Sequence, residues 1–205
     1  MVIYFLESNI SGGKTTLLNR LNKFLDENNR NDIEVILEPV EEWEKIGLLV
    51  SFYKNPGRWA YTFQNFAFIT KYMILMKLDP NKTYIIERSP WTDYHCFAKL
   101  CHERGDISEM EMTIYESWFN TLIKGITDKF ECKFIYLKTD PTICLERSKK
   151  RNRNGEEGIP LEYLKSLDNK HDEWLSNDII KIDGNSDDVD ETTRHLLQHL
   201  PPLKI

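Results

Sequence analysis

The stretch that decides the fold is Val2-Ile3-Tyr4-Phe5-Leu6-Glu7-Ser8-Asn9-Ile10-Ser11-Gly12-Gly13-Lys14-Thr15-Thr16. Its first five residues are apolar, which is typical of a strand that is buried on both faces of a parallel sheet. The apolar residues that follow at helical spacing are Leu17, Leu18, Leu21, Phe24 and Leu25. A loop therefore joins a buried strand to an amphipathic helix, where backbone N–H groups and the helix dipole together bind anions.

This loop predicts a nucleotide-binding site. Lys14 is expected to reach the terminal phosphates of a nucleoside triphosphate, and the Thr15 hydroxyl is expected to bind Mg²⁺. The loop departs from the G-x-x-x-x-G-K-[ST] motif because Ser8 stands at the first glycine position. Serine is small, so we expect nucleotide binding to survive. The alternative is a glycine-rich turn with a solvated lysine, which the position between a strand and a helix disfavours.

Further apolar runs of strand length occur at 33–37, 84–86, 132–137 and, more weakly, 179–182. Helical patterns separate them, at 63–76, 110–126, 143–150 and 160–174. This alternation predicts one α/β domain over residues 1–205, with a parallel sheet of about five strands and helices on both faces.

Composition excludes several classes of function. The chain has 205 residues and a formal net charge of −6, which disfavours binding to a nucleic acid polymer. No apolar run is long enough to cross a membrane, and the N-terminus does not resemble a signal peptide. The four cysteines, which form no CxxC pair, are Cys96, Cys101, Cys132 and Cys144. We therefore expect reduced thiols and a cytoplasmic protein.

Charged residues follow two of the predicted strands, at the edge where ligands bind in such folds. Glu38 could accept the proton of a hydroxyl that attacks a γ-phosphoryl group, and Trp43 could form a wall for an aromatic substrate. An equally compatible interpretation makes Glu38 a loop cap and Trp43 a core residue. After the third strand, Glu87 could hold hydrated Mg²⁺, and Arg88 could bind phosphate or steady Glu38.

A basic segment near residues 147–158 stands out in this acidic chain. Such a run is often a solvated surface. It follows a strand and a helix, however, and it is rich in arginine and contains glycine. These features favour a lid that closes over the triphosphate and stabilises the transition state electrostatically.

Six ordered segments together resemble the deoxynucleoside kinase family, that is, the deoxycytidine kinase, deoxyguanosine kinase and mitochondrial thymidine kinase group. They are the phosphate loop, Glu38-Pro39-Val40 with Trp43, residues 56–64, Glu87-Arg88-Ser89 with Asp93, residues 147–153 and residues 158–164. The resemblance runs from about residue 2 to residue 174. It implies a P-loop kinase-type three-layer fold with an Arg-rich lid, ATP as the phosphate donor, Mg²⁺, and a homodimer formed through helices such as 110–126.

The resemblance also implies a role for each matching residue. The catalytic residues would be Glu38, as the base that deprotonates the 5′-hydroxyl, with Arg88 and Lys14. The donor would be bound by Asn9, Ile10, Ser11, Gly12, Gly13, Lys14, Thr15, Thr16, Arg147, Arg151, Arg153 and Asp183, and Mg²⁺ by Thr15 and Glu87. Gln64 would bind the base edge, Tyr53 and Glu156 the 3′-hydroxyl, and Trp43, Phe63 and Phe97 the base faces.

Base preference would depend on Ala67, Lys71 and Asp93. The charged Lys71–Asp93 pair resembles the deoxycytidine and deoxyguanosine kinases more than the thymidine type, so deoxycytidine or purine deoxynucleosides are favoured, within a range broad enough to include thymidine. Lysine lacks the planar fork of arginine, so base recognition is expected to be looser. Two alternatives remain open: a nucleoside-monophosphate kinase of the thymidylate kinase type, and a nucleotide-binding regulatory module without catalysis.

Overall fold

A computed structural model describes residues 1–176 and 179–202. Its five strands are β1 Val2–Glu7, β2 Ile33–Ile36, β3 Thr83–Glu87, β4 Glu131–Lys138 and β5 Ile180–Asp183. They form one sheet in the order β2-β3-β1-β4-β5, and every neighbouring pair is parallel. The predicted parallel five-stranded sheet is confirmed, and each strand end differs from its predicted position by at most one residue.

Helices connect the strands. They are α1 Lys14–Glu27, α2 Val40–Lys45, α3 Leu48–Lys54, α4 Pro56–Leu75, α5 Pro90–Thr92, α6 Lys99–Glu103, α7 Glu109–Thr127, α8 Pro141–Arg151, α9 Leu161–Trp174 and α10 Val189–Leu197. A π-helical segment, Asp93–Ala98, joins α5 to α6. All five predicted helices are present, as α1, α4, α7, α8 and α9. Helix α4 begins seven residues before the predicted start at 63, because Pro56 opens its first turn. Pro160 precedes the first turn of α9 as its N-cap.

Both faces of the sheet are covered. On one face, Leu17, Leu18 and Leu21 of α1 pack with Ile85 of β3 and with Leu196 of α10. On the other face, Phe5 and Ile86 of the sheet pack with Leu75 of α4 and Ile126 of α7. The sheet is the middle layer of the predicted three-layer α/β fold, and its carboxyl edge carries the phosphate loop.

No helix in residues 1–176 or 179–202 combines the length and the apolar character needed to cross a membrane.

Candidate active site

The phosphate loop, residues 8–16, folds around the side chain of Lys14. The Lys14 ammonium donates hydrogen bonds to the backbone carbonyls of Ser8 (3.2 Å) and Asn9 (3.0 Å). Burial lowers the pKa of Lys14 to about 7, and the nearby charge of Arg88 acts in the same direction. The loop therefore presents a buried amine whose charge is most stable when an anion lies beside it.

The Ser8 side chain fills the space beside Gly12. A Cβ atom added at Gly12 would lie 2.0 Å from the Ser8 Oγ. Ser8 is fully buried, and its hydroxyl has no hydrogen-bond partner in the described part of the chain. Ser11 and Gly13 have positive φ angles of 56° and 99°, conformations that let successive N–H groups converge on an anion. A serine at the first motif position is thus accommodated because residue 12 has no side chain.

Glu38 and Arg88 meet at the carboxyl ends of β2 and β3. The Arg88 Nη1 lies 3.1 and 2.9 Å from the two Glu38 carboxylate oxygens, and its Nη2 donates to the Ser8 carbonyl at 3.3 Å. Burial would raise the pKa of Glu38, but the charges of Arg88 and Lys71 outweigh it and lower the pKa to about 2. Glu38 is therefore an ionised acceptor at neutral pH.

Arg88 is held in a strained backbone conformation. Its φ is 59°, in the left-handed region that residues other than glycine rarely occupy. The next turn is anchored by Glu7, which accepts hydrogen bonds from the Ser89 N–H (3.0 Å) and the Thr92 hydroxyl (2.5 Å). Burial raises the pKa of Glu7 above its ordinary value, although both hydrogen bonds oppose this change. These contacts fix the backbone that aims Arg88 at Glu38.

Lys71 connects Glu38 to Asp93. Its ammonium lies 2.9 Å from Glu38 Oε1 and 2.5 Å from Asp93 Oδ1. Burial would lower the pKa of Lys71, but these two carboxylates outweigh it and raise the pKa. Burial raises the pKa of Asp93 to about 6, against the opposing charge of Lys71. Asp93 lies on the π-helical segment, a type of distortion that is frequent at functional sites.

Thr15 and Glu87 supply oxygen atoms next to Lys14. The Thr15 hydroxyl donates a 2.7 Å hydrogen bond to Glu87 Oε1. Mg²⁺ prefers oxygen ligands and keeps several waters, so it needs only one or two protein groups beside substrate phosphates. Across residues 1–176 and 179–202, no group of three or more His, Cys, Asp or Glu could hold a metal ion. The Thr15–Glu87 pair nevertheless fits a magnesium ion that is shared with phosphates.

Most of the predicted site residues line one cavity of about 790 Å³. They are Ile10, Ser11, Gly12, Gly13, Lys14, Thr15, Thr16, Glu38, Trp43, Tyr53, Phe63, Gln64, Glu87, Arg88, Asp93, Phe97, Arg147, Arg151, Arg153 and Glu156. Ala67 lines it as well. Three predicted residues lie outside the lining: Asn9, Lys71 and Asp183. The Asn9 amide instead donates to the Leu164 carbonyl at 2.8 Å, which ties the loop to α9.

One end of the cavity is aromatic. Trp43 packs edge-on against Phe63 with ring centroids 5.5 Å apart, and Phe52 stacks on the same Phe63 at 4.9 Å. Trp43 is both a buried residue and a wall of the cavity, so the two interpretations of it are compatible. Among the described residues, the Gln64 Nε2 and the Asp93 Oδ2 are buried without hydrogen-bond partners. A free donor and a free acceptor here can pair with the polar edge of a flat ligand.

Glu156 binds two arginines of the basic segment. It accepts a hydrogen bond from Arg151 and one of 3.4 Å from Arg153, whose Nε also lies 3.1 Å from Glu44 of α2. Burial, reinforced by the Glu156 charge, raises the pKa of Tyr53, so its hydroxyl remains protonated. Arg151 and Arg153 thus contact the protein through carboxylates, although most residues of the basic segment are exposed.

Arg147 closes the other end of the cavity. It donates to the backbone carbonyls of Gly184 (2.8 Å) and Ser186 (3.2 Å) and pairs with Asp187 at 3.0 Å. Gly184 lines the cavity, whereas the side chain of Asp183 accepts a 2.9 Å hydrogen bond from the backbone N–H of Asn185.

Sequence reasoning missed several residues that line the cavity. They are Leu37, Pro39, Val40, Glu41, Glu42, Leu49, Phe52, Lys150, Ser186, Asp187, Val189 and Thr192, with Leu17 and Leu137. Leu49 and Phe52 lie three residues apart, just before Tyr53, and their helical spacing was an available signal. No such signal marked the residues at the start of α10, because that short helix was not predicted.

Comparison with known proteins agrees with this geometry. A profile of the deoxynucleoside kinase family matches residues 5–200. The chain is 38% identical to the probable deoxycytidine kinase of Fowlpox virus (strain NVSL), in an alignment that covers 92% of this chain and 81% of the relative. It is 36% identical to deoxycytidine kinase 2 of Gallus gallus, with coverage of 87% and 75%.

A mitochondrial deoxyguanosine kinase of Xenopus laevis is 29% identical, over 86% of this chain and 74% of the relative. The profile match covers nearly the whole chain and includes the phosphate loop, Glu38, Arg88 and the basic segment. The chain therefore belongs to the deoxynucleoside kinase family and is a phosphotransferase of that kind.

Proposed function

We propose that the chain transfers the γ-phosphoryl group of ATP to the 5′-hydroxyl of a deoxynucleoside, as a step of nucleotide salvage. The observation that carries this proposal is that one cavity contains both the phosphate loop and the Glu38–Arg88 pair. The loop suits the polyphosphate of the donor, and the carboxylate suits a neutral hydroxyl acceptor, which must lose a proton in the reaction.

In the proposed reaction, Glu38 accepts the proton of the 5′-hydroxyl as its oxygen forms a bond to the γ-phosphorus. The bond between that phosphorus and the β-phosphate oxygen breaks, and ADP leaves. Glu38 is a weak base because its pKa is about 2. A weak base suffices, since phosphoryl transfer depends mainly on positioning and charge neutralisation. Lys14 supplies positive charge at the phosphates, and Arg88 holds the Glu38 carboxylate in place.

Mg²⁺ would be held by Thr15 and Glu87 together with the phosphates. When bound, it neutralises charge on the donor phosphates and orients them. The 2.7 Å contact between the Thr15 hydroxyl and Glu87 supports this assignment.

The acceptor would lie in the aromatic end of the cavity. Its base would lie among Trp43, Phe63 and Phe97, with its polar edge on Gln64 and Asp93, and its 3′-hydroxyl would reach Tyr53 and Glu156. A free Asp93 oxygen accepts from an amino group and repels a carbonyl. This supports a preference for bases with an exocyclic amino group, cytosine first, over thymine. Two relatives are named as deoxycytidine kinases, one of them as a probable one, which points the same way.

The segment 147–158 would act as the lid. Arg147, Arg151 and Arg153 line the cavity and would bind the donor phosphates, and the loop that contains Asp183 and Gly184 would contact the donor base. The ion pairs of Arg151 and Arg153 with Glu156 would connect the donor arginines to the acceptor sugar.

The active form would be a homodimer. Exposed apolar side chains occur on α4, at Ile69 and Met73, and on α7, at Met110, Ile114 and Trp118. Because α4 and α7 contact each other, we infer that these side chains form one apolar patch. Patches of this kind mark protein interaction sites. Sedimentation at micromolar concentration should give about twice the chain mass of 24.3 kDa, and a mass near 24.3 kDa would contradict the dimer.

The protein would act in the cytoplasm. Its four cysteines are free, and Cys96, Cys101 and Cys144 are buried. Unpaired buried thiols are typical of reducing compartments.

The family match favours this function over the two alternatives. A monophosphate kinase binds an acceptor phosphate that is already ionised and needs no base. A regulatory module without catalysis would have no need for the Glu38–Arg88 pair.

The test is ADP release with Mg-ATP and five acceptors: deoxycytidine, deoxyadenosine, deoxyguanosine, thymidine and thymidine monophosphate. We expect turnover on deoxycytidine first, with thymidine poor. Turnover on thymidine alone would support the kinase activity but contradict the assigned base preference. Activity only on the monophosphate, or no activity on any acceptor, would contradict the proposed function.

A further inference from the structure

The Lys71 side chain lies behind the wall of the cavity. It extends from α4 and is 5% exposed, and its ammonium lies between Glu38 and Asp93, at 2.9 and 2.5 Å. Those two carboxylates line the cavity, whereas Lys71 does not. Its ammonium lies over the Trp43 ring, whose centroid is 5.4 Å from Nζ. The ammonium is thus placed to act on the two carboxylates rather than on a ligand.

We propose that Lys71 is a positioning residue of the phosphoryl-transfer reaction, which couples the catalytic carboxylate Glu38 to the base-binding carboxylate Asp93. This inference rests on the role proposed above for Glu38. Direct contact with the base alone would give Lys71 no function in catalysis, whereas the proposed coupling to Glu38 does.

The geometry suits a compact cation at this point. Glu38 and Asp93 come from different elements, the loop after β2 and the π-helical segment. A lysine ammonium is a point charge with three donors, so it can bind carboxylates that lie in two directions. A guanidinium fork matches one carboxylate in a single plane. Removal of Lys71 would leave two buried carboxylates with less compensating charge, which is costly.

The link has a consequence for substrate choice. The second Asp93 oxygen is buried and unpartnered within the described residues, so it is free to contact the base. A base that donates a hydrogen bond to this oxygen weakens the attraction of Asp93 for the Lys71 ammonium. Lys71 can then bind Glu38 more closely. The identity of the base would then affect kcat as well as KM.

The experiment compares wild type with Lys71→Met, Lys71→Arg and the control Lys77→Met, an exposed lysine just beyond α4. The measurements are kcat and KM for deoxycytidine and the Kd for Mg-ATP. For Lys71→Met we expect kcat to fall at least tenfold, because Glu38 loses a cation that holds its carboxylate in place. Lys71→Arg should recover part of this loss, and the Kd for Mg-ATP should stay within about twofold.

A role in contacting the base alone predicts a higher KM for Lys71→Met with unchanged kcat, and that result would overturn the proposal. If Lys71→Met does not fold, the double variant Lys71→Gln/Asp93→Asn removes the buried charges together. It should show the same loss of kcat, and an unchanged kcat would again overturn the proposal. Absence of turnover in wild type would instead contradict the proposed function itself.

Discussion

At the scale of single residues, Lys14 has an unusual pH dependence. Burial lowers the pKa of its ammonium to about 7, so its neutral fraction grows above neutral pH in the absence of donor. A bound triphosphate favours the charged form. The protein must therefore take up a proton when it binds ATP at alkaline pH.

We predict that the Kd for Mg-ATP rises above pH 7, by up to tenfold per pH unit, and that binding at pH 8.5 takes up close to one proton. Calorimetry in two buffers with different ionisation enthalpies measures this uptake. Lys14→Met should abolish it, and the exposed Lys23→Met should retain it. A Kd that stays constant from pH 6 to 9, without proton uptake, would refute the assignment.

The residues at the strand ends could be assigned to one site from the sequence, because neighbouring parallel strands bring their carboxyl ends to one edge of the sheet. Glu38 and Arg88 were identified in this way, and the structure places them in contact. The position of Lys71 against Glu38 could not be predicted. It depends on how α4 packs over the end of β2, which no local pattern determines.

At the scale of elements, Ser8 and Gly12 of the phosphate loop lie so close together that only one of them can carry a side chain. We predict that Gly12→Ala raises the KM for ATP roughly tenfold or more, because the new Cβ would lie 2.0 Å from the Ser8 Oγ. The double variant Ser8→Gly/Gly12→Ala should return to within about threefold of wild type. Steady-state kinetics with ATP as the varied substrate measures both.

Gly13→Ala provides the control for this pair. Its φ of 99° strains any side chain, and the nearest atom to its added Cβ is the Arg147 Nη1 at 3.5 Å. Ser8→Gly should therefore not rescue Gly13→Ala. Rescue of both glycine variants, or of neither, would show that Ser8 and Gly12 are not a specific pair.

A buried histidine links α9 to β4. The His171 Nδ1 donates to the Leu167 carbonyl at 2.7 Å, and the ring stacks on Tyr136. Burial lowers the pKa of His171 to about 3, below the value near 6.5 in the unfolded chain. Its contribution to stability is therefore complete above pH 6.5 and is lost as the pH falls toward 3.

We predict that wild type loses about 2 kcal/mol of unfolding free energy through this group between pH 7.5 and 5. His171→Phe should lose less than wild type over this interval, whereas the exposed His195→Phe should behave as wild type. Urea unfolding at the two pH values measures the difference. Equal losses in all three proteins would contradict the buried, neutral state of His171.

The long elements were predictable because their apolar periodicity is strong. The short helices α2, α3, α5, α6 and α10 were not predicted, since segments of three to nine residues carry little periodic signal. The π-helical segment was not predicted either, and its Asp93 pairs with Lys71 of α4, a contact between elements that no local pattern reveals. The sequence therefore predicted the scaffold of the cavity better than the short helices that complete its walls.

At the scale of the whole molecule, the apolar patch on α4 and α7 predicts assembly. Trp118 is 56% exposed and Met110 is 75% exposed, and both lie on the outer face of α7. The sequence indicated that 110–126 is apolar enough for a core and a partner face. It could not indicate which side chains remain exposed after α7 packs on α4.

We predict that Trp118→Glu converts the dimer to a monomer, because a charge at the centre of an apolar interface loses its solvation. Sedimentation should give about twice 24.3 kDa for wild type and about 24.3 kDa for the variant. The control Lys133→Glu lies on β4, away from the patch, and should remain dimeric. Equal masses for wild type and Trp118→Glu would rule out this interface.

The most direct test of the catalytic assignment is the turnover of deoxycytidine by Glu38→Gln, measured beside Mg-ATP binding. The control is Glu34→Gln on β2, four residues before Glu38, where Glu34 pairs with Lys82 at the surface. We predict that Glu38→Gln loses kcat by about 10²–10⁴-fold and binds Mg-ATP with a Kd within about twofold of wild type. Turnover near the wild-type rate in Glu38→Gln would contradict the account.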